Sequence, residues 1–497
     1  MLRTIFSAPE WMLMRAVLLL LSSLLVLSGC VHTETRSRDL ESPEDGALVM
    51  RYLLNAYPNA IRQQGEMLVE AVGQQNRSIP TQYRLTDTRE ATTLSTLVLA
   101  TLPAGTYRLV GACTENLLCA DRYKFNMTFT IRPGQLTDLG VVVSSRTNGD
   151  SYGSPVEPEV TSAVVQKLAP ALKPLLQTPI LTWNQASSDT ESQRFERAKR
   201  ESVGVYSMQA LDQGAFLYGS INGVVYRWTP GQAPVGHDIG RRVSVESVLA
   251  TPSGRWLAGG ELGVLRESAD QGATWHSVSG NLPFGVITSL GSWQGKVIAT
   301  LTEDRFVSLY SASEGDSKWT LLARHAQDVS IWDPMLMPAK STVIGDQLVT
   351  TVPGHKLATL DLRNGKSEIR DLPHHAGTFS VVADGVLRSK CDKGVCESRD
   401  LGKTWQSAKP SPLFPAPAFR DANHGVAING ELFAETFIAY TNDGGATWIN
   451  AMPINPHVNQ LFYNRQGNRV YAASQTGEFW ESVDDGRHWK QLSKGLY

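Results

Sequence analysis

Hydroxyl and carboxylate side chains recur together in the C-terminal part of this 497-residue chain, in the pattern S-x-D-x-G-x-T-W. Serine and aspartate at this spacing could either take part in a reaction or close a tight turn. The pattern occurs four times, with the defining residues Ser268, Asp270, Gly272 and Trp275; Ser398, Asp400, Gly402 and Trp405; Thr441, Asp443, Gly445 and Trp448; and Ser482, Asp484, Gly486 and Trp489. A weaker copy at 311–319 has one extra residue and no aspartate at the third position.

The residue types in this pattern suit a turn better than a reaction. Glycine at the fifth position permits a positive φ angle, and the aspartate and serine oxygens can accept backbone N–H bonds inside the turn. The tryptophan can bury a large apolar surface. We therefore expect these aspartates to be structural and predict no catalytic residue among them.

Other reactive groups lack the context that their chemistry needs. The G-x-S-x-G match at 149–153 lies in a polar segment and not at a sharp strand-to-helix turn. His374 and His375 are adjacent and lack the spacing of a metal-binding helix. The chain has no Walker loop and no H-E-x-x-H motif. We predict neither a metal nor a cofactor.

The spacing of the copies predicts the architecture. Their first residues are 43 apart from 268 to 311 and from 398 to 441, 41 apart from 441 to 482, and 87 apart, about two periods, from 311 to 398. A period in the forties built from short strands is typical of a β-propeller blade. Residues 204–497, 294 in number, divide into seven units of 42. The fold class predicted is all-β, with a C-terminal propeller of about seven four-stranded blades, whose closure could borrow residues 180–183.

The four copies resemble the Asp-box, or bacterial neuraminidase repeat, of sialidases, sortilin-type receptors and photosystem II assembly factor propellers. The flanking run G-R-W-L-A-G-G-E-L-G-V-L-R-E at 254–267 is most similar to the photosystem factor type, and the resemblance covers about the C-terminal 290 residues. It implies that the boxes link strands three and four of each blade, and that ligands bind on the opposite face. The candidate residues of that binding face are Arg241, Arg242, Arg305, Phe414 and Arg420.

The resemblance also leaves an enzymatic alternative, an exo-acting glycoside hydrolase of sialidase type. Sialidases hold a substrate carboxylate with three arginines, use a tyrosine nucleophile polarised by glutamate, and carry a Phe/Tyr-Arg-Ile-Pro motif. No Arg-Ile-Pro occurs in this sequence. We therefore assign no catalytic residue and expect a non-catalytic scaffold that binds a protein or a glycan.

The N-terminal sequence predicts export and attachment to a membrane. An apolar run at 17–27 follows Arg15 and is too short for a membrane span of ~20 residues. The following Leu27-Ser28-Gly29-Cys30 resembles a bacterial lipobox, which implies a signal peptide at 1–29 and lipidation of Cys30. The residue after Cys30 is Val31 and not Asp. By the same resemblance, this implies that the lipoprotein is transferred to the outer membrane. An uncleaved signal anchor is the alternative.

Between the signal peptide and the propeller we predict three further segments. Residues 30–45 are polar and read as a tether, whereas residues 46–145 hold short β-type runs separated by turns, which predicts a β-sandwich. Residues 146–203 are interpreted as a linker with a short helical segment, because Pro170 and Pro174 interrupt the helical periodicity.

The cysteine content and the net charge limit the possible compartment and partners of this protein. After lipidation of Cys30, four cysteines remain in two close pairs, Cys113 with Cys119 and Cys391 with Cys396, which predicts local disulfides in an exported protein. A zinc site is the less favoured interpretation because no second ligand pair lies nearby. The net charge of −2 provides no basic surplus for nucleic acid. The expected partners are the membrane, through the lipid, and an envelope protein or glycan.

Overall fold

The computed structural model describes 21 stretches of the chain. They are residues 33–36, 42–54, 65–73, 82–86, 96–114, 128–144, 151–153, 157–184, 207–211, 214–220, 223–303, 305–327, 339–372, 379–381, 385–391, 394–409, 417–429, 436–454, 458–463, 468–474 and 478–494. The predicted signal peptide 1–29, Cys30, Cys119 and Phe414 lie outside these residues.

Nine strands form two facing sheets in the N-terminal part. They are β1 (Thr33–Arg36), β2 (Asp45–Leu54), β3 (Gly65–Ala71), β4 (Gln82–Thr86), β5 (Thr96–Pro103), β6 (Gly105–Thr114), β7 (Thr128–Ile131), β8 (Leu136–Ser144) and β9 (Ser151–Gly153). The strand orders are β1-β4-β3-β6-β7 and β5-β2-β8-β9. Strand β1 falls within the predicted tether, and β9 within the predicted linker. Both segments therefore contribute an edge strand to the sandwich.

Strand β2 is buried on both of its faces, which explains its continuous apolar run. Leu48 and Met50 pack with Met67 and Phe129 in the core between the two sheets. Ala47 and Val49 point the other way and join a second core, which contains residues of the propeller. The alternation of side chains along one strand thus connects the sandwich to the rest of the molecule.

A broken helix fills the space between sandwich and propeller. Helix α1 (Pro158–Leu168) begins with proline in its first turn, and a 3₁₀ helix (Pro170–Gln177) follows after Ala169. The missing N–H of Pro170 and its ring end α1, as the two prolines predict. Val164, Val165 and Leu168 of α1, together with Leu172 and Leu175, enter the same core as Ala47 and Val49.

The segment that follows the 3₁₀ helix pairs with the sandwich. Leu181 forms a parallel bridge with Thr137, and Trp183 an antiparallel bridge with Phe129. The expectation that residues 180–183 would close the propeller is therefore wrong. The backbone groups of this segment bond to β7 and β8, while the last blade has four strands of its own.

The described residues from Ser207 to Lys494 form seven four-stranded antiparallel sheets, which confirms the predicted propeller. Blades one to four comprise β10 (Ser207–Ala210), β11 (Phe216–Gly219), β12 (Val224–Trp228), β13 (Val235–Asp238); β14 (Val245–Ala250), β15 (Trp256–Gly260), β16 (Leu265–Ser268), β17 (His276–Ser277); β18 (Val286–Trp293), β19 (Lys296–Glu303), β20 (Phe306–Ser313), β21 (Thr320–Ala326); β22 (Ser341–Ile344), β23 (Gln347–Val352), β24 (Lys356–Asp361) and β25 (Ser367–Asp371). Blades five to seven comprise β26 (Phe379–Val381), β27 (Leu387–Cys391), β28 (Gly394–Ser398), β29 (Gln406–Lys409); β30 (Ala418–Phe419), β31 (Gly425–Asn429), β32 (Thr436–Thr441), β33 (Ile449–Ile454); β34 (Val458–Tyr463), β35 (Val470–Ser474), β36 (Glu478–Ser482) and β37 (Lys490–Lys494).

Aromatic packing joins the first blade to the last. Trp228 stacks on Phe479 with ring centroids 4.2 Å apart, and Phe216 meets Tyr471 edge-on at 4.7 Å. These four side chains are almost fully buried. Because blades one and seven share no strand among the described residues, the burial of these rings supplies the closing interaction.

Candidate functional site

The repeated turns use their polar groups internally. Ser268 Oγ accepts a hydrogen bond from the Gly272 N–H at 2.7 Å and donates one to Asp270 Oδ1 at 2.8 Å. Asp270 Oδ1 also accepts from the Thr274 N–H at 2.9 Å, and its Oδ2 from Thr274 Oγ1 at 2.6 Å. The same bonds recur in the turns that begin at Ser398 and Thr441, and at Ser482 His488 replaces the threonine. Each turn links the third and fourth strands of its blade.

These bonds fix the protonation state of the turn aspartates. Hydrogen bonds from the Thr274 hydroxyl and N–H, followed by the bond from Ser268, lower the pKa of Asp270 to about 2. The N–H and hydroxyl of Thr404 do the same for Asp400, whose pKa is also about 2. A carboxylate with so low a pKa is a weak base at neutral pH and carries no proton to donate. The geometry therefore favours a structural role.

Arg241 and Arg242 lie on the face opposite these turns, in the connection between β13 and β14, where they hold the N-terminal part of the chain. Arg241 forms an ion pair with Glu159 of α1. Arg242 Nη2 contacts both carboxylate oxygens of Asp238, at 2.8 and 2.6 Å, while its N–H donates to Glu157 at 3.2 Å. This part of the predicted binding face is thus an interface within the chain.

Arg420 lies on the other face of the propeller, so the prediction that placed it on the binding face is wrong. It follows the innermost strand β30, and the turn from a first to a second strand is on the same side as the turn from a third to a fourth. Its Nη2 donates to Asp485 Oδ2 at 3.1 Å and its Nε lies 2.9 Å from Oδ1. Arg420 therefore binds the repeated turn of the neighbouring blade.

Arg305 is the candidate that remains at an open surface. It lies in the turn between β19 and β20, opposite the repeated turns, and is exposed. The adjacent Phe306 is 36 % exposed, and the Arg324 guanidinium lies 4.0 Å from the centre of its ring. Among the described residues, the four candidate arginines do not converge on one site, and Phe414 lies outside them.

A tyrosine–glutamate pair does occur, but its setting is unlike that of a glycosidase nucleophile. The Tyr471 hydroxyl donates to Glu481 Oε1 at 3.0 Å across strands β35 and β36. Burial, and next this bond, raise the pKa of Tyr471 to about 12. The ring is 2 % exposed and packs in the cluster that joins blades one and seven. A nucleophile needs access to substrate and a lowered pKa, and Tyr471 has neither.

The first strands of blades one to four, with residues of the second strands of blades three and four, line a cavity of about 370 Å³ that we call the axial cavity. Its wall is rich in serine and threonine, with Gln209 from blade one and Lys340 just before β22. Lys340 Nζ donates to the Thr288 carbonyl of blade three at 3.0 Å. Sequence reasoning missed this cavity, because the lining residues come from strands about 40 residues apart.

A buried carboxylate lies behind this wall. Glu246 sits at the bulge of β14, is 3 % exposed, and accepts a hydrogen bond from Ser244 Oγ. Burial raises its pKa to about 7, against the lowering effects of the Ser244 bond and of the Lys340 charge. Burial also lowers the pKa of Lys340. The signal in the sequence was a single carboxylate within a strand of otherwise uncharged residues.

Three further observations concern the predicted chemistry. Cys396 is disulfide-bonded and lies in the hairpin of β27 and β28, while the side chain of Cys113 is outside the description. In the described part of the chain, no group of three or more His, Cys, Asp or Glu side chains is placed to hold a metal ion. No helix within the described ranges is both long and apolar enough to cross a bilayer.

Comparison with known proteins finds similar solved structures but no family. No protein-family model matches it, and no curated protein does. It is similar to the solved structures of YCF48 bound to D1 peptide (17 % identity, TM-score 0.47, covering 57 % of this chain and 95 % of that one) and YCF48 from Cyanidioschyzon merolae (15 %, 0.44, 57 % and 96 %). BamB from Moraxella catarrhalis is also similar (13 %, 0.41, 57 % and 85 %). At these identities the similarity concerns the fold alone.

Proposed function

We propose that this chain is a lipid-anchored protein of the bacterial cell envelope whose propeller is a non-catalytic scaffold for binding an envelope protein. One observation carries the proposal. The charged groups of the repeated turns and of the Arg241–Arg242 connection are bonded within the chain, whereas the turn at Arg305 and Phe306 presents a guanidinium and an aromatic ring to solvent. Arginine and aromatic residues are the types that contribute most to protein interfaces.

The Arg305–Phe306 turn is held in place by its own blade. The carbonyl oxygen of Arg305 accepts from the N–H of Gln327 at 2.9 Å. Arg324, which covers the Phe306 ring, is itself fixed by Glu303 at 3.0 Å. A turn held in this way loses little conformational freedom on binding, which favours affinity.

The charges of the turn indicate the partner's chemistry. The turn sequence places Glu303 and Asp304 beside Arg305, and Glu303 forms an ion pair with Arg324. The exposed Arg305 guanidinium beside the Phe306 ring suits a partner that presents a carboxylate next to an apolar or aromatic group. An envelope protein offers both, and a glycan with acidic groups is the second outcome that the experiment below distinguishes.

Membrane attachment through Cys30 is the second part of the proposal and rests on the lipobox resemblance. Cys30→Ser should abolish lipidation and release the protein from the membrane fraction, because no other attachment is proposed. Fractionation of cells that produce either form measures this release. Full membrane retention of the variant would favour the uncleaved signal anchor. Protease access to intact cells then tests whether the protein faces the periplasm or the exterior.

Binding is tested by site-specific photo-crosslinking in intact cells. A crosslinking amino acid at position 305 should capture one defined protein, whereas the same residue at position 318, exposed on the face of the repeated turns, should not. Arg305→Glu should weaken binding of the captured protein at least tenfold, while Lys318→Glu leaves it unchanged. Equal capture at both positions would contradict the proposed face, and selective binding to an acidic glycan array would identify a glycan instead.

The same purified protein tests the glycosidase alternative. It should give no turnover on a fluorogenic sialic-acid substrate or on aryl glycosides. Turnover that persists through repurification and disappears on a single tyrosine or glutamate substitution would overturn the non-catalytic scaffold.

A further inference from the structure

Three side chains at the wall of the axial cavity, Lys340, Ser289 and Ser207, keep hydrogen-bond donors without an acceptor among the described residues. The Lys340 ammonium has three N–H groups, of which one is used, toward the Thr288 carbonyl. Ser289 Oγ accepts from the Ser341 N–H at 3.0 Å, and Ser207 Oγ accepts from the Val248 N–H at 3.2 Å. Neither hydroxyl has an acceptor for its own proton among the described residues. Both line the cavity together with Lys340.

Glu246 is the carboxylate whose charge acts on Lys340, but it does not accept a hydrogen bond from any of these donors. Glu246 accepts its hydrogen bond from Ser244, and its strong burial favours the neutral acid, since its pKa is raised to about 7. Glu246 is not among the residues that line the cavity. Burial also lowers the pKa of Lys340, and an oxyanion in the cavity would favour the charged ammonium, as Glu246 does when it is ionised.

Lys340 is positioned rigidly at the wall. Its N–H donates to Thr351 Oγ1 at 2.8 Å, and its carbonyl accepts from the Thr351 N–H at 2.9 Å. These two bonds to β23 fix the backbone from which the side chain extends. Because the backbone is fixed and Nζ is already held by the Thr288 carbonyl, a ligand would not have to reorganise this side chain.

We propose that this cavity binds a small molecule carrying an oxyanion, a carboxylate or a phosphate, whose oxygens accept hydrogen bonds from Lys340 and Ser289. A volume of about 370 Å³ accommodates a ligand the size of a sugar acid. The apolar side chains in the wall, Val248, Leu290 and Val343 among them, suit its carbon skeleton. This site is separate from the turn at Arg305 and does not depend on the scaffold function.

The test is titration calorimetry of the full chain, purified in detergent, with inorganic phosphate, glucuronate and glucose as probes. At least one of the two anions should bind, and glucose should bind at least tenfold more weakly than glucuronate if the carboxylate is recognised. Binding of phosphate but not glucuronate identifies a phosphate ligand, and the reverse a carboxylate. Absence of binding for both anions, or equal affinity for glucose and the tighter anion, would overturn the proposal.

The variant Lys340→Met keeps the aliphatic stem and removes the charge, and should weaken anion binding at least tenfold, as expected for loss of a charge-assisted bond. Lys318→Met is the matched control at an exposed lysine and should bind as the parent does. If Lys340→Met does not fold, Ser289→Thr replaces it in the experiment. This variant retains the acceptor for the Ser341 N–H but narrows the cavity, so we expect the same loss of anion affinity. Parental affinity in a folded Lys340→Met protein would contradict the site.

Discussion

Arg51 of the sandwich donates a hydrogen bond through Nη2 to the main-chain carbonyl of Arg242 in the propeller, at 2.6 Å. The same guanidinium lies 3.5 Å from Glu157 and 3.9 Å from Glu261. Arg51 and Glu261 are both almost fully buried. One side chain of the N-terminal sandwich thus fixes its position relative to the first two blades, across 191 residues of sequence.

Arg51→Met should destabilise the whole protein by about 3 kcal/mol. The substitution keeps most of the buried volume but leaves the Glu261 carboxylate buried without its cation, and breaking a buried pair from one side is costly. Chemical denaturation, followed by tryptophan fluorescence, measures the change. Lys366→Met is the control, since both members of the Lys366–Glu368 pair are exposed, and it should cost less than about 1 kcal/mol.

Glu246→Gln should flatten the pH dependence of stability in the neutral range. The folded-state pKa of Glu246, about 7, lies above the usual 4.5, because burial outweighs the effects of Ser244 and Lys340, while Glu261 adds to the increase. Stability from this group is complete below pH 4.5 and is lost as the pH rises to about 7. Thermal unfolding at pH 5 and pH 8 should differ less in the variant than in the parent, and an equal difference would contradict this contribution of Glu246.

The turn aspartates predict a separate loss of stability in acid. The folded pKa values of Asp270 and Asp400, about 2, lie below the usual 3.8 because of the threonine hydrogen bonds. Their contribution is present above pH 4 and is lost as the pH falls toward 2. Asp270→Asn with Asp400→Asn should lower the melting temperature at pH 6 and reduce its decrease between pH 5 and 2. Asp371→Asn, at an exposed strand end, serves as the control with an unchanged pH profile.

Gly402→Ala should destabilise the propeller more than Gly254→Ala. Both glycines have a positive φ, +82° and +86°, so both substitutions introduce backbone strain of about 1 kcal/mol. A Cβ on Gly402 would lie 2.3 Å from Leu357 Cδ2, whereas a Cβ on Gly254 would meet nothing within 4 Å. We expect a further cost of about 1 to 3 kcal/mol at Gly402 from overpacking. Equal unfolding midpoints for the two variants would contradict the close contact between blades four and five.

Phe479→Ala should open the ring closure at a cost of about 3 to 5 kcal/mol. Phe479 is fully buried against Trp228, and no shared strand compensates for the lost contact. Phe306→Ala removes the same group from an exposed site and should cost less than about 1 kcal/mol. Denaturation midpoints compare the two, and limited proteolysis should cleave first within blade one or blade seven. Similar midpoints for both variants would mean that closure depends on other contacts.

The propeller could be predicted from the sequence because its signal is local and repeated. The serine, aspartate, glycine and tryptophan of each turn lie within eight residues, and bonds such as that between Asp270 and Thr274 span only four. The period then fixed the number of blades without any knowledge of their contacts. The two prolines at 170 and 174 likewise predicted the broken helix, since their effect on the backbone is local.

The placement of the charged side chains was decided only by the tertiary structure. A count of loops could not reveal that Arg241 pairs with Glu159, 82 residues earlier, or that Arg420 pairs with Asp485, 65 residues later. The pairing of Leu181 with Thr137 and the convergence of Lys340 and Thr288 at the cavity wall are equally long-range. Such contacts depend on how sheets and domains pack together, and no spacing along the chain encodes them. Thus the sequence by itself determined the repeating architecture, whereas domain docking, ring closure and the axial cavity arose from packing between residues distant in the chain.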